Sequence, residues 1–493
     1  MNIGLDFGTT NCSLGWTKPD GSEVVRGPWP SELVWHRGEF FFGREARELR
    51  DGNDQEVRVI RDVKLLLQRE TPITTEHPFS AVDAAAALMR YVISTALVDD
   101  IDEAVIATPV RVAREQRIRT KRAAERAGIK STRYIYEPTA ALIGSDDAST
   151  LPSQANVLVI DWGGGTLDIA VVRCEQGKFF EERAVEGDVH GLGGSAIDEE
   201  LTRRVLDRNP ATARFISSFP WLRDRLKQVV EDLKIDALSS EGESSGEIAP
   251  AWLPHVISIE PSLILATMRD FAERALRRIV EVLKRTGLHQ EDITHLLFAG
   301  GVCQSSLVSD VITQGFPGAA MLENLSPQMT TARGCIRLAR RAFSLELAAD
   351  FAALQCDNSP CVLLKKGLSL SEGRYVQFDF WLADPYAANA VFDVGVVHDH
   401  GWQRELPGED LSKYQSLCTI TLPLGRSPDQ AFRAAQKGGK RTPGPDLIKL
   451  CVGLDPALSV RALVVSEQTG SEMEAFVVGV PLSVRLSSPT ESR

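Results

Sequence analysis

The chain is poor in features that would settle its class at once. Its eight cysteines, at 12, 174, 303, 335, 356, 361, 418 and 451, form no CxxC, and the one close pair is Cys356/Cys361. Zinc sites and disulfide frameworks use tighter, repeated spacings, so the reading is reduced thiols in a cytoplasmic protein. His398-Asp399-His400 has no further ligands at helical or loop spacing and reads as a solvated turn. No apolar run is long enough to span a bilayer, so no membrane partner is expected. A basic excess is lacking too. The net charge of −12 argues against a nucleic-acid partner, because such affinity comes from neutralising phosphates. The opening MNIGLDFGTT has neither the basic nor the apolar region of a signal peptide. No GxxxxGK[ST] occurs, which excludes a P-loop. Gly191-Leu192-Gly193-Gly194-Ser195-Ala196 fits GxGxxA loosely, but the preceding VEGDVH is not the apolar strand of a dinucleotide fold.

What is present points to several domains. At 493 residues the chain is too long for one ordinary core, and two or three domains are expected. The 43% hydrophobic and 25% charged fractions are those of a soluble globular protein. Strand-like and helix-like stretches alternate through residues 1–343, the pattern of an α/β fold. Strands are expected at Asn2–Leu5, Ala104–Ala107, Val157–Ile160, Leu167–Val172 and His295–Ala299. A helix is expected from Ser262 to Arg285, where Leu263, Met268, Phe271, Ala275, Ile279, Val282 and Leu283 keep about a 3.6-residue period. Lys284 and Arg285 in its last turn and Gly287 after it form a stop signal. Arg111–Arg126 is a strongly basic helix that reads as a solvated face, with a surface for an acidic partner as the minority reading. From Asp350 onward the alternating runs Val376–Leu382, Ala390–Val397, Ser416–Leu422, Ile448–Leu454 and Ala462–Ser466 describe an all-β domain. Gly425–Asp446 is its longest loop. The boundaries read as 1–343 for the α/β domain, 344–349 for a short linker, 350–487 for the β domain and 488–493 for a tail.

One internal echo carries the chemistry. IGLDFGTTN near the start and LVIDWGGGTLD near residue 160 share a plan of apolar strand, Asp, any residue, Gly and then Thr. Two copies of one strand–turn unit imply a duplicated fold with the two turns facing each other. Consecutive glycines such as Gly163, Gly164 and Gly165 let a backbone approach a ligand closely, because no Cβ intervenes. Their amides form a nest for an anion, and Thr9, Thr10 and Thr166 add hydroxyl donors. Flanking carboxylates would repel phosphate unless a cation lies between. Mg²⁺, which keeps most of its waters, resolves this if Asp6 and Asp161 hold those waters. The pair of turns therefore reads as a cleft for a magnesium nucleotide.

With these residues identified, the chain resembles the actin-like ATPase superfamily and, within it, the 70-kDa heat-shock (DnaK-type) chaperones. IGLDFGTTNCS is similar to that family's first phosphate segment, with Gly8, Thr9 and Thr10 on phosphate, and IDWGGGTLD to its second. Phe298-Ala299-Gly300-Gly301 resembles its adenosine-binding turn, and Tyr136-Glu137-Pro138-Thr139-Ala140-Ala141 its EPTAA segment. The resemblance implies a duplicated α/β fold of two lobes around a nucleotide cleft, followed by an all-β domain. It implies ATP or ADP with Mg²⁺ as ligands, and Asp6 and Asp161 on the metal through water. It also implies that Lys64 lies by the γ-phosphate, that Glu137 helps to place metal and attacking water, and that Thr166 lies beside the γ-phosphate. Gly193 and Gly194 would lie over that phosphate, and Glu231 and Lys234 would grip ribose and adenine. Pro109 and Arg117 resemble a proline switch and an arginine relay that report nucleotide state.

Three departures stand out. Where the family stacks an arginine on adenine, this chain has Gln304. Ser344–Ala353 (SLELAADFAA) has no leucine-rich, Asp-ending linker. The runs at Val362–Gly367 and Ala462–Val478 look like the start and end of a β substrate-binding domain, with no helical lid expected after it. The function these features imply is a slow, partner-stimulated, chaperone-like ATP hydrolase. Its β domain would hold extended polypeptide clients, with a J-domain protein and a nucleotide-exchange factor as further partners. The alternative is a regulatory protein whose ATP state drives docking to one dedicated protein partner. A filament-forming actin relative is disfavoured by the EPTAA segment and the β domain. A small-molecule kinase is disfavoured because no separate substrate motif accompanies the turns. Losing a cation over the adenine ring costs up to about 2 kcal/mol, roughly tenfold or more in affinity. Calorimetry is therefore expected to give weak ATP binding, and a low-nanomolar dissociation constant would overturn the assignment of Gln304.

Overall fold

The strand Ala155–Trp162 is buried at every position, as a central strand covered on both faces must be. It pairs antiparallel with Leu167–Glu175 across the triple-glycine turn and parallel with His295–Ala299. The computed structural model describes residues 1–51, 56–68, 79–152, 154–175, 178–187, 191–219, 222–239, 246–248, 252–254, 257–370, 375–382, 384, 387–397, 414–425 and 446–486. Within it, Asn2–Phe7 repeats the same arrangement, antiparallel to Asn11–Thr17 across the first glycine turn and parallel to Glu103–Thr108. The first sheet runs Glu23–Pro30, Asn11–Thr17, Asn2–Phe7, Glu103–Thr108, Ser131–Tyr136. The second contains the same order in Phe179–Glu186, Leu167–Glu175, Ala155–Trp162, His295–Ala299, Ala320–Met321. The echo in the sequence is thus a duplicated sheet. The protein has an actin-like α/β fold of two lobes followed by a β domain.

Two helices join the lobes. Thr330–Ala339 packs on the N-terminal strand, Glu137–Gly144 packs on Ala155–Trp162, and the helices pack on each other. Small residues permit that approach. A Cβ on Gly334 would stand 1.8 Å from the Ala140 carbonyl oxygen, and one on Gly144 would stand 2.0 Å from that of Thr330. The long helix expected from the apolar period is Pro261–Arg285, with Pro at its first turn, Lys284 and Arg285 in its last, and Gly287 at φ 70° beyond it. Leu263, Met268, Phe271, Ala275, Ile279, Val282 and Leu283 are all buried on its core face.

The basic helix differs from a solvated face. It starts at Arg114, and Arg117 is only 1% exposed. The Arg117 guanidinium donates to the carbonyls of Pro109, Val110, Ala457 and Leu458. Arg114 pairs with Asp455 at 2.9 Å and lies over the Phe476 ring. Arg119 donates to the carbonyls of Leu67 and Gln68, and Lys121 and Arg122 are exposed. Part of the acidic surface facing this helix is therefore the chain's own β domain.

That domain is a pair of four-stranded antiparallel sheets. One contains Asp350–Leu354, Pro360–Leu364, Asn389–Val397 and Tyr414–Pro423; the other contains Tyr375–Trp381, Leu447–Asp455, Ser459–Ser466 and Glu472–Val478. The strands overlap those expected, while His398–His400 and residues 426–445 of the long loop lie outside the described residues. The boundaries differ from expectation. The segment expected as a linker at 344–349 is mostly strand: Phe343–Leu347 pairs with Leu482–Leu486, which itself pairs with Phe179–Glu186. The second lobe's sheet thereby gains two strands beyond the duplicated five. The cause is in the alternation, since Leu347, Leu482 and Val484 are each buried against the core. One continuous apolar cluster runs from the first lobe through the inner face of the second sheet into the β domain.

At the helix crossing, Gly334→Ala forces a backbone shift, with an expected loss of about 1–3 kcal/mol. Thermal unfolding should show a lower midpoint for this variant than for Gly318→Ala, where a Cβ meets open space.

Candidate active site

The glycine turns meet face to face. A Cβ on Gly164 would lie 1.8 Å from Thr10 Oγ1, one on Gly165 2.8 Å from Thr9 Oγ1, and one on Gly193 2.2 Å from the Gly165 carbonyl oxygen. Gly8 is equally restricted, with the Asn11 carbonyl 2.2 Å from its Cβ position. The turns are locked by their own backbone. Gly163 N–H donates to Thr166 O at 3.0 Å, Gly194 N–H to Gly163 O at 3.0 Å, and Ser195 N–H to Gly164 O at 2.7 Å. Trp162, fully buried, donates its indole N–H to the Leu192 carbonyl and so fixes the Gly193–Gly194 segment against the second turn. Side chains at these positions would fill the space between the turns, which is the geometry of a backbone cradle for phosphate.

Between the turns lies a concentration of acid around one base. Lys64, on the short helix Val63–Leu66, donates to Glu137 Oε1 at 2.5 Å, and both side chains are buried. Asp6 and Asp161 each stand one residue before the end of a duplicated strand, and Asp168 stands opposite Asp161 in the register. Burial, reinforced by the Glu137 carboxylate, pushes Asp6 and Asp168 up to about 7 and holds Asp161 well above the usual carboxylate range. Burial alone would lower the Lys64 ammonium, but Glu137, Asp6 and Asp168 outweigh it and raise the group. Four carboxylates thus share one ammonium. Their all-oxygen chemistry suits a hard divalent cation. Among the described residues no three His, Cys, Asp or Glu side chains converge closely enough to cage a metal.

Gly300 has φ 82°, and its Cβ position is 2.4 Å from the Trp162 carbonyl oxygen, so the turn after His295–Ala299 sits directly on the second glycine turn. Gly301 approaches Gln328, and Gln304 is exposed at the end of the following 3-10 turn. Val302 reaches within 3.3 Å of the Gly194 Cβ position. Lys234 pairs with the buried Asp198 at 2.5 Å, and burial raises Glu231 on the same helix. Lys227 of that helix donates to Ser195 at 2.8 Å. Arg61 of the first lobe donates to Gln228 at 2.7 Å, bridging the cleft. Thr166 donates to Asp168 Oδ2 at 2.8 Å.

Two features were not foreseen. Asp168 was visible as the second acid flanking the glycines, but only the fold shows that it accepts from Thr166 and from the Val110 amide at 3.4 Å. It therefore joins the second turn to the Pro109–Arg117 segment. Asp198, the partner of Lys234, had no signal beyond its place on the helix that follows Gly193.

Comparison with known proteins agrees with this geometry. A family model described as Hsp70 protein matches residues 61–340, more than half of the chain. The chain is 26% identical over 332 residues to the chaperone protein DnaK of Metamycoplasma hominis, covering 63% of this chain and 54% of that protein. It is 28% identical over 353 residues to DnaK of Thermotoga maritima, covering 67% and 58%. It is also 28% identical over 369 residues to the chaperone protein HscA homolog of Burkholderia cenocepacia, covering 68% and 57%. The chain thus spans little more than half the length of the curated relatives it matches. With two facing glycine turns, a buried Lys–Glu pair near both and a family model matching residues 61–340, the chain belongs to the Hsp70 family.

Proposed function

We propose that the protein is a slow, chaperone-like ATP hydrolase whose nucleotide state governs what its β domain binds. The observation that carries this reading is the approach of Gly164 to Thr10 and of Gly165 to Thr9, with the buried Lys64–Glu137 pair beside Asp6 and Asp161. In the reaction, water attacks the γ-phosphorus in line, a new P–O bond forms, and the bond to the bridging oxygen breaks to leave ADP and phosphate. Mg²⁺ held through water by Asp6 and Asp161 would neutralise charge on the phosphate oxygens. Lys64 supplies a positive charge, preorganised by burial, where negative charge develops. Glu137 orients the attacking water, and Thr166, fixed by Asp168, holds the lip of the second turn beside the γ-phosphate. Glu231 and Lys234 bind the ribose and adenine side, with Gly300, Gly301 and Gln304 opposite.

The β domain is the client side. Extended polypeptide would be held through main-chain hydrogen bonds and apolar contacts. Exposed Tyr375, Val376, Trp381 and Val391 supply apolar surface there. The eight free thiols fit a cytoplasmic setting. A J-domain protein and a nucleotide-exchange factor are the proposed partners of turnover and release.

One observation favours the second reading, a regulator docking one dedicated partner. The β domain is joined to the second lobe by two strands, Phe343–Leu347 and Leu482–Leu486, and to the first by Arg114 and Arg117. Such attachment leaves less freedom than cycling on many clients needs.

Single-turnover hydrolysis by the full chain tests the catalytic assignment. Lys64→Ala should be slowed on the order of a hundredfold, and Thr166→Ala by less. Equal rates for both variants and the wild type would remove it. Peptide arrays with client-stimulated turnover should be positive for the chaperone reading. A pull-down returning one stoichiometric partner, with arrays blank, would decide for the regulator.

A further inference from the structure

Glu182 has no place in the hydrolytic cleft, yet it is one of the most deeply buried acids in the protein, at 2% exposed. It lies on Phe179–Glu186 and faces two separate parts of the chain. Its Oε1 accepts from the Thr139 hydroxyl, two residues along the helix that begins with Glu137. Its Oε2 accepts the backbone N–H of Leu482 at 2.8 Å, the first residue of the strand returning from the β domain. The Tyr136 hydroxyl, just before the same helix, lies against the carbonyls of Leu458 at 3.3 Å and Val480 at 3.4 Å. No ion pair to Glu182 occurs among the described residues, so the carboxyl is buried for its two hydrogen bonds alone.

From this junction we infer that Glu182 is a positioning residue. It ties the helix carrying Glu137 to the strand Leu482–Leu486, so that the water-orienting carboxylate is held in place only while the β domain's returning strand is seated in the second lobe's sheet. The hydrolytic half of this statement rests on the function proposed for Glu137. The coupling of strand to helix does not.

The chemistry gives the junction a pH dependence with a definite sign. Burial raises the Glu182 carboxyl from 4.5 to about 7, against the two hydrogen bonds it accepts. The groups around it do little to offset that burial. They are the Tyr136 phenol, itself raised by burial, and Glu137 at the head of the helix. On the neighbouring strand Arg173 pairs with Glu175, and on the returning strand Arg485 lies over Phe179. Glu181 and Arg183, adjacent on its own strand, pair with each other, and Lys366 also pairs with Glu181. With the strand seated, Glu182 is protonated below about pH 7; with the strand released, it ionises as an ordinary glutamate. A raised acid favours the seated state most fully below its ordinary value, and that advantage is lost as pH rises through the raised one. Seating therefore weakens from pH 6 to pH 8, by about tenfold in the opening equilibrium.

Amide hydrogen exchange on the full chain without nucleotide reads the coupling directly. Glu182→Val removes both hydrogen bonds. Glu182→Gln keeps both, because its amide N–H donates to the Thr139 oxygen while its carbonyl accepts from Leu482. In Glu182→Val, exchange in residues 482–486 and in residues 139–144 should rise together by about tenfold or more. Glu182→Gln should stay within about threefold of the wild type. The protection of residues 482–486 in the wild type should fall about tenfold between pH 6 and pH 8, and in Glu182→Gln it should stay flat. Exchange rising on one side alone, or on neither, overturns the inference, as does an identical pH response in Glu182→Gln. In single-turnover hydrolysis, Glu182→Val should be slower than wild type and Glu182→Gln close to it. A normal rate in Glu182→Val overturns the positioning role. A wild type that hydrolyses no ATP would instead overturn the proposed function, and the exchange result would still decide the coupling.

Discussion

One ammonium group among four carboxylates is the constraint from which the rest of the molecule follows. Asp6, Lys64 and Glu137 come from the first lobe, Asp161 and Asp168 from the second. The lobes therefore meet across an excess of negative charge in a desolvated space, and like charges there oppose closure. Under the function proposed above, a cation and an anion together would fill the gap beside the glycine turns. A magnesium nucleotide has both. The helices that join the lobes cross at Gly144 and Gly334, where backbone contact leaves no room for a side chain.

The parts legible in the sequence are those whose cause is local. A glycine triplet after an apolar run marks a close backbone turn, and the two turns fall where the motifs put them. The central strands and the helix Pro261–Arg285 were readable from period alone, with ends displaced by a few residues because Trp162 and Phe7 continue the pairing. What was not legible depends on distant partners. Arg117 lies on a basic helix, and nothing in its neighbours says that carbonyls of Ala457 and Leu458 will bury it. Phe343–Leu347 alternates like a strand, but its partner lies at Leu482–Leu486, near the far end of the sequence. Glu182 reads as one more charge in FFEER, and only the fold places Thr139 and Leu482 on its two oxygens.

The β domain is attached as a structural member of the two-lobed domain. Arg117 connects the Pro109–Val110 segment, which Asp168 touches, to the turn at Ala457–Leu458. On the opposite side the two added strands extend the sheet that carries the second glycine turn. The glycine turns and the β domain are thus linked by two separate hydrogen-bonded routes, one through each lobe.

Those added strands also set the order in which the protein can be completed. As the nascent chain leaves the ribosome, Phe179–Glu186 emerges with one edge open, and that edge is not covered until Leu482–Leu486 has been made. An open, largely buried edge is a template for mispairing with other chains. Cutting the gene after the second lobe would leave the same edge bare for good, so the second lobe and the β domain are not cleanly separable modules.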